Sequence, residues 1–194
     1  GVLGDAGALT LCRVADRIVP AVRAFCAERG EDVWLRESGY LKVSAALFED
    51  AAVDAAVHAA RQLGVAEECV PLTKAEVAER VSSPRFRKGA FFRDGATVQP
   101  ARLARALRRA VLAEGIALHE RTPVTRLVTG DPNVLVTPGG LVRAADVVVA
   151  TNAWSAAWRP VAKRLTNFGS YLVLTEPAPD LLAQIGWTGG ESVS

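Results

Sequence analysis

The chain has 194 residues, half of them apolar and 23% charged, a balance that builds one or two folded domains and excludes an intrinsically disordered tail. Its 23 basic and 21 acidic residues leave a net charge of +2, too small and too dispersed for a nucleic-acid surface. No apolar run approaches the roughly 18 residues of a membrane span, and the start carries no basic, apolar leader, so the expected location is the cytoplasm.

From Leu9 to Arg29 the apolar positions Leu11, Val14, Ile18, Val22 and Phe25 form one helical stripe that Gly30 closes, with a kink expected at Pro20. Val33–Arg36 and Tyr40–Val43 flank Ser38-Gly39 and predict an antiparallel pair. The alanine-rich run Phe48–Leu63, ended by Gly64, predicts a second helix. Thr73-Lys74-Ala75-Glu76 has the spacing of a capping box and opens a third, which Ser82-Ser83-Pro84 stops. Gly89–Phe92 and Thr97-Val98 flank Arg93-Asp94-Gly95-Ala96, a turn between strands.

Pro100 at a first helical position and Gly115 beyond the last predict a strong helix over 100–114. Arg102, Arg105, Arg108 and Arg109 fall on its wet face. Ile116–His119 then reads as a parallel strand and Pro123–Val128 as another. The turns Asp131-Pro132-Asn133 and Pro138-Gly139-Gly140 bound a small meander of Val134–Thr137 and Leu141–Arg143. Asp146–Ala150 has the valine-rich composition of a strand buried on both faces. Asn167–Glu176 predicts a long strand and Pro179–Ile185 a last short helix.

Hydrolytic signatures such as Gly-x-Ser-x-Gly and His-Glu-x-x-His do not occur, and His58 and His119 read as structural. Cys12, Cys26 and Cys69 lack metal-type spacing, so the expectation is reduced, mostly buried thiols and no metal site. The chain holds no methionine, begins at Gly1 and stops at Ser194, so both ends look cut from something longer.

The stretch from Asp94 to Trp154 is the most informative. It runs strand, helix, strand, hairpin and strand into Ala150-Thr151-Asn152-Ala153. In doubly wound α/β proteins a valine-rich strand opening into a small-residue turn brings backbone amides close to a ligand's phosphates. An ordinary strand-to-helix junction capped by Asn152 or Ser155 accounts for the same residues. No Gly-x-Gly-x-x-Gly fingerprint occurs, so the site read here is half a site.

Several segments recur together: Arg93–Leu103, Gly115-Ile116, Glu120–Val124, Val149–Trp154 and Leu174-Thr175-Glu176-Pro177, with Ser38–Val43 before them. In this order they resemble the D-amino-acid-oxidase-like family of FAD-dependent oxidoreductases, including glycine, sarcosine and gamma-glutamylputrescine oxidases, over nearly the whole chain. The resemblance implies an α/β (α+β) fold: a partial FAD-binding Rossmann-like βαβ unit with a β-meander, plus part of a mixed, largely antiparallel substrate-domain sheet with helices. It implies substrate-domain roles for 1–95 and 166–194 and a cofactor-binding role for 96–165. Val124 is implied to meet the adenine side of FAD. Ala150, Thr151, Asn152, Ala153 and Trp154 are implied to lie along the pyrophosphate toward the flavin, and Tyr171 and Tyr40 to face substrate, although packing roles explain both tyrosines.

The implied reaction is oxidation of a C–N bond of a small amine or amino acid, by hydride transfer to flavin N5 and hydrolysis of the imine. The flavin supplies that chemistry, so no acid–base pair is required of the protein. The family's fingerprint strand, ribose-binding acid and C-terminal Arg-x-x-x-Gly-Gly region are missing from this sequence. The chain alone is therefore expected to be inactive and to bind FAD weakly or not at all. The competing reading is a non-catalytic remnant or interaction module whose Leu9–Arg29 helix packs on a partner.

Overall fold

The computed structural model describes residues 4–194. In chain order it contains helices α1 (Gly4–Ala15) and α2 (Ile18–Arg29), strand β1 (Tyr40–Ser44), helix α3 (Asp50–Gln62), strand β2 (Cys69–Leu72), helix α4 (Lys74–Arg80), strand β3 (Lys88–Phe92) and helix α5 (Pro100–Ala113). Strands β4 (Arg126–Val128), β5 (Asn133–Thr137) and β6 (Gly140–Ala144), helices α6 (Arg159–Ala162) and α7 (Pro179–Gln184), and strand β7 (Ser192–Val193) complete it. These elements divide into two compact units, one reaching to Ile116 and resuming at Glu176–Ser194, the other Ala117–Thr175.

The first unit is built on a four-stranded sheet in the order β2-β3-β1-β7. Strand alternation sorts its side chains onto two faces. Cys69, Ala90 and Phe92 point to one face and meet Val53, Val57 and Ala60 of α3. Leu41 and Phe91 point to the other and meet Val77 and Val81 at α4, with Ile185 and Trp187 after α7. Leu41 and Val77 are fully shielded from solvent, a burial that contributes about 1.5–3 kcal/mol per side chain. The edge strand β2 carries Pro71, which lacks an N–H and so blunts pairing on its open side.

Helix boundaries follow local chemistry. The capping box at α4 forms as its spacing predicts: Thr73 N–H donates to Glu76 Oε2 at 2.7 Å, and Glu76 N–H donates to Thr73 Oγ1 at 3.3 Å. Gln99 caps α5 by accepting from Arg102 N–H at 2.7 Å, with Pro100 at the first helical position. The helix expected over 9–29 is two helices, broken at Asp16-Arg17 rather than kinked at Pro20. The break sets Pro20 within the first turn of α2, where its missing N–H has no intrahelical acceptor to lose.

Two pairings differ from the sequence expectation. Val33–Arg36 does not pair with Tyr40–Val43; β1 pairs antiparallel with β3, and Arg36 forms an isolated bridge with Thr97. The Arg93-Asp94 turn forms, yet its two flanks run to different partners, β3 to β1 and Thr97 to Arg36. Close packing explains the glycine at this corner: Gly39 N–H donates to Gly95 O at 2.8 Å, and a Cβ on Gly95 would stand 2.5 Å from the backbone of Gly39 and Tyr40. Strands β2 and β7 lack the length or alternation that announces a strand. Helix α5 keeps its arginines partly engaged: Arg102 lies 3.5 Å from Asp32, and Arg109 grips the Glu31 carboxylate through two nitrogens.

The second unit is an antiparallel meander, β4-β5-β6, followed by a 3₁₀ segment (Asn152–Ala157) and α6. Asn133 ties its β4–β5 turn, accepting from Gly130 N–H through Oδ1 at 3.3 Å, and joins β5 to the end of β6, its Nδ2 donating to Ala145 O at 2.7 Å. None of its residues falls in the buried class. The strands expected at 116–119, 146–150 and 167–176 do not form and these residues belong to neither sheet. For the valine run this corrects the expectation of a buried strand, since Val148 is 90% exposed. Strand propensity is realised only against neighbouring strands, and among the described residues none lies alongside this run.

The cysteines are free, and only Cys69 is buried; Cys12 is exposed. Burial pushes the Cys69 thiol above its usual range. No helix among the described residues is long and apolar enough to cross a membrane, and no group of His, Cys, Asp and Glu among them is arranged to hold a metal ion.

Candidate cofactor groove

Within the second unit, the approach to β4 and the bend after the valine run enclose a groove of about 370 Å³. Val124, Arg126 and Leu127 form one wall, Val147–Val149 a second, and Thr151, Trp154, Ser155 and Trp158 a third. The meander positions the first wall. Thr125 N–H donates to Val136 O at 2.9 Å and Arg126 is in register with Val136, so the segment from Val124 into β4 is tied to β5.

The third wall depends on a tight bend. Asn152 adopts φ 47°, a left-handed conformation that asparagine tolerates better than most residues. The Thr151 and Ser155 hydroxyls hydrogen-bond at 2.7 Å, and Asn167 Nδ2 donates to Ala153 O at 3.1 Å. Neither Asn152 nor Ser155 caps the 3₁₀ segment; Thr151 occupies the cap position, without a side-chain bond to the backbone. Among the described residues, no backbone hydrogen bond engages the peptide groups of Asp146–Ala150. Unengaged N–H groups of this kind suit ligand oxygens.

Of the residues singled out in the sequence, Val124, Thr151 and Trp154 line this one groove, while Ala150, Asn152 and Ala153 form the backbone between its walls. Tyr171 does not join them. It lies in the 167–176 segment, outside both sheets, and is 97% exposed. Tyr40 is in the first unit, its hydroxyl bonded to the Ser194 hydroxyl and its ring 5.6 Å from Phe92. Arg126 and Trp158 were not singled out. The period-2 relation of Arg126 to Val124 was the available signal for the first, and the repeat of tryptophan four residues after Trp154 for the second.

The donor set suits one side of a dinucleotide. Apolar and aromatic side chains provide a surface for a flat base, and hydroxyls, free amides and one guanidinium provide donors for phosphate. Among the described residues lining the groove, none is a carboxylate that would repel an anion. The residues present therefore fit part of a flavin–adenine dinucleotide, without the glycine-rich turn that would close over its pyrophosphate.

A helix-clad mixed sheet in one unit and a groove-bearing meander in the other give a mixed α/β fold of flavoenzyme type. The chain belongs to the FAD-dependent oxidoreductase family DAO, whose family model matches residues 3–192. It is similar to the glycine oxidase of Geobacillus kaustophilus, with 32% identity over 144 residues that make up 72% of this chain and 38% of that protein. The crystal structure of that glycine oxidase superposes with a TM-score of 0.66 at 27% identity, over 76% of this chain and 40% of the other. Glycine oxidase from Bacillus cereus (TM-score 0.65, 20% identity, 76% and 42% covered) and L-proline dehydrogenase from P. horikoshii (0.63, 21%, 80% and 42%) share the fold. The chain spans about two fifths of the length of these relatives.

Proposed function

We propose that the chain contributes one wall of the FAD site and part of the substrate side of an oxidoreductase acting on the C–N bond of a small amine or amino acid. The observation that carries the reading is the convergence of Val124, Thr151 and Trp154, from separate segments, on one groove with donors for phosphate and no carboxylate. Similarity to a glycine oxidase supports the substrate class.

In this reading Val124 receives the adenine side through its backbone, and the Ala150–Ala153 bend lays its amides along the pyrophosphate. Trp154 excludes water toward the flavin. Residues 96–165 act as the cofactor part and 1–95 with 166–194 as the substrate part, and Tyr171 and Tyr40 are each read as a substrate-side residue. The cofactor, when bound, supplies the hydride acceptor for the C–H beside the substrate nitrogen; the protein's task is holding and orienting. With one wall of the site, the chain by itself is colourless as isolated, binds FAD weakly and does not turn over.

Titration of the purified chain with FAD up to millimolar concentration tests this. Tryptophan fluorescence should change saturably, and Ala150→Trp, which fills the bend, should abolish the change. An unsaturable response in the wild-type chain would end the cofactor reading. A second reading, an interaction module, is favoured by one feature: Leu11, Val14 and Ile18 on α1 and α2 leave their apolar stripe exposed. Failure to bind FAD together with loss of association in Leu11→Lys would favour it.

A further inference from the structure

We propose that Arg126 is the phosphate anchor of the groove, so that the chain alone binds phosphorylated adenine nucleotides in preference to the unphosphorylated nucleoside. The inference rests on the cofactor reading above and adds a residue and a ligand preference to it.

Four observations carry it. Among the described residues lining the groove, Arg126 alone is charged, and it forms no ion pair with a carboxylate among them. It is held in place by its strand, in register with Val136. It lies two residues from Val124, both line the groove, and two residues of backbone span at most about 7 Å. That spacing suits the reach from a base set against Val124, through its ribose, to a 5′-phosphate.

The unit around the groove has the matching charge. Residues 117–175 hold six basic and three acidic side chains, whereas the rest of the chain holds 17 and 18. Arg159, Lys163 and Arg164 follow directly on the groove residue Trp158, so the local field favours an anion. The guanidinium offers two parallel N–H donors to a phosphate, which a lysine ammonium does not. Trp154 and Trp158 give the base an aromatic neighbour, so the two halves of a nucleotide find different partners in one groove.

Calorimetric titration of the full chain with AMP, adenosine and FAD, at low and at raised salt, tests the assignment. AMP should bind about tenfold more tightly than adenosine at low salt, with the gap narrowing as salt rises. Arg126→Ala should remove the gap while leaving adenosine binding and the thermal melt unchanged, since Arg126 is exposed. Arg126→Lys should restore only part of it. Equal binding of AMP by the wild type and Arg126→Ala would overturn the anchor, and FAD binding retained in both would show that the cofactor reading survives it. Absence of binding by all three ligands would overturn both.

Discussion

The two units of this chain are held together by different means. The first owns a sheet with helices on both faces and contains every fully buried side chain of the described structure, among them Leu41, Val53, Val77 and Ala90. The second has a complete hydrogen-bonded meander and no buried residue at all. Backbone pairing alone makes strands, but a core needs two apolar surfaces facing each other. The second unit has one such surface, the Val147–Val149 run with Trp154 and Trp158, and it lines the groove. The physical lesson is that a site for a large flat cofactor and an unfinished core are built from the same side chains.

Substitutions on the two sides sharpen this contrast. The largest effect belongs to the first unit: Leu41→Ala empties a fully buried position and should lower the unfolding free energy by about 2–5 kcal/mol in urea denaturation. A loss below ~1 kcal/mol would mean that the sheet core does not dominate stability. Next comes Thr73→Ala, which removes the α4 cap and should cost about 1 kcal/mol by the same measurement.

Acid should separate the units as well. Asp50 bonds to Arg87, at 3.0 Å between its carboxylate and Nη2, and to the Ser44 hydroxyl. The Arg87 contact, then the Ser44 contact, hold the Asp50 carboxyl below the usual carboxylate range. Its folded pKa lies under its unfolded one, so its contribution is present above the ordinary carboxylate range and is lost as pH falls through the depressed value. Wild type should therefore lose more stability between pH 7 and pH 3 than Asp50→Asn. Parallel pH curves would remove Asp50 from the account. The smallest effect is expected in the second unit, where Val148→Ser, at an almost fully exposed side chain, should change the melting free energy by no more than about 0.5 kcal/mol.

The sequence made local features legible and long-range ones much less so. Helices α3, α4 and α5 follow from apolar spacing, a capping box and the Pro100–Gly115 bracket, all written within a few residues. The meander follows from its proline, asparagine and glycine turns. The partner of β1 did not: register across 40–92 depends on which face each strand offers to α3 and α4, and no local pattern encodes it. Likewise 146–150 and 167–176 carry strand composition without a neighbour to pair with, so propensity outran structure there. In the groove, Val124, Thr151 and Trp154 were reached by resemblance. Arg126 was not: its step of two from Val124 was legible, but which residues line the groove with it is set only by the fold.

Amide hydrogen exchange of the chain with and without saturating AMP tests the central claim directly. The account predicts slowed exchange confined to 124–127 and 147–158, with the core strands of the first unit unchanged. Protection that appeared instead around β1 and β3, or nowhere although AMP binds, would contradict it.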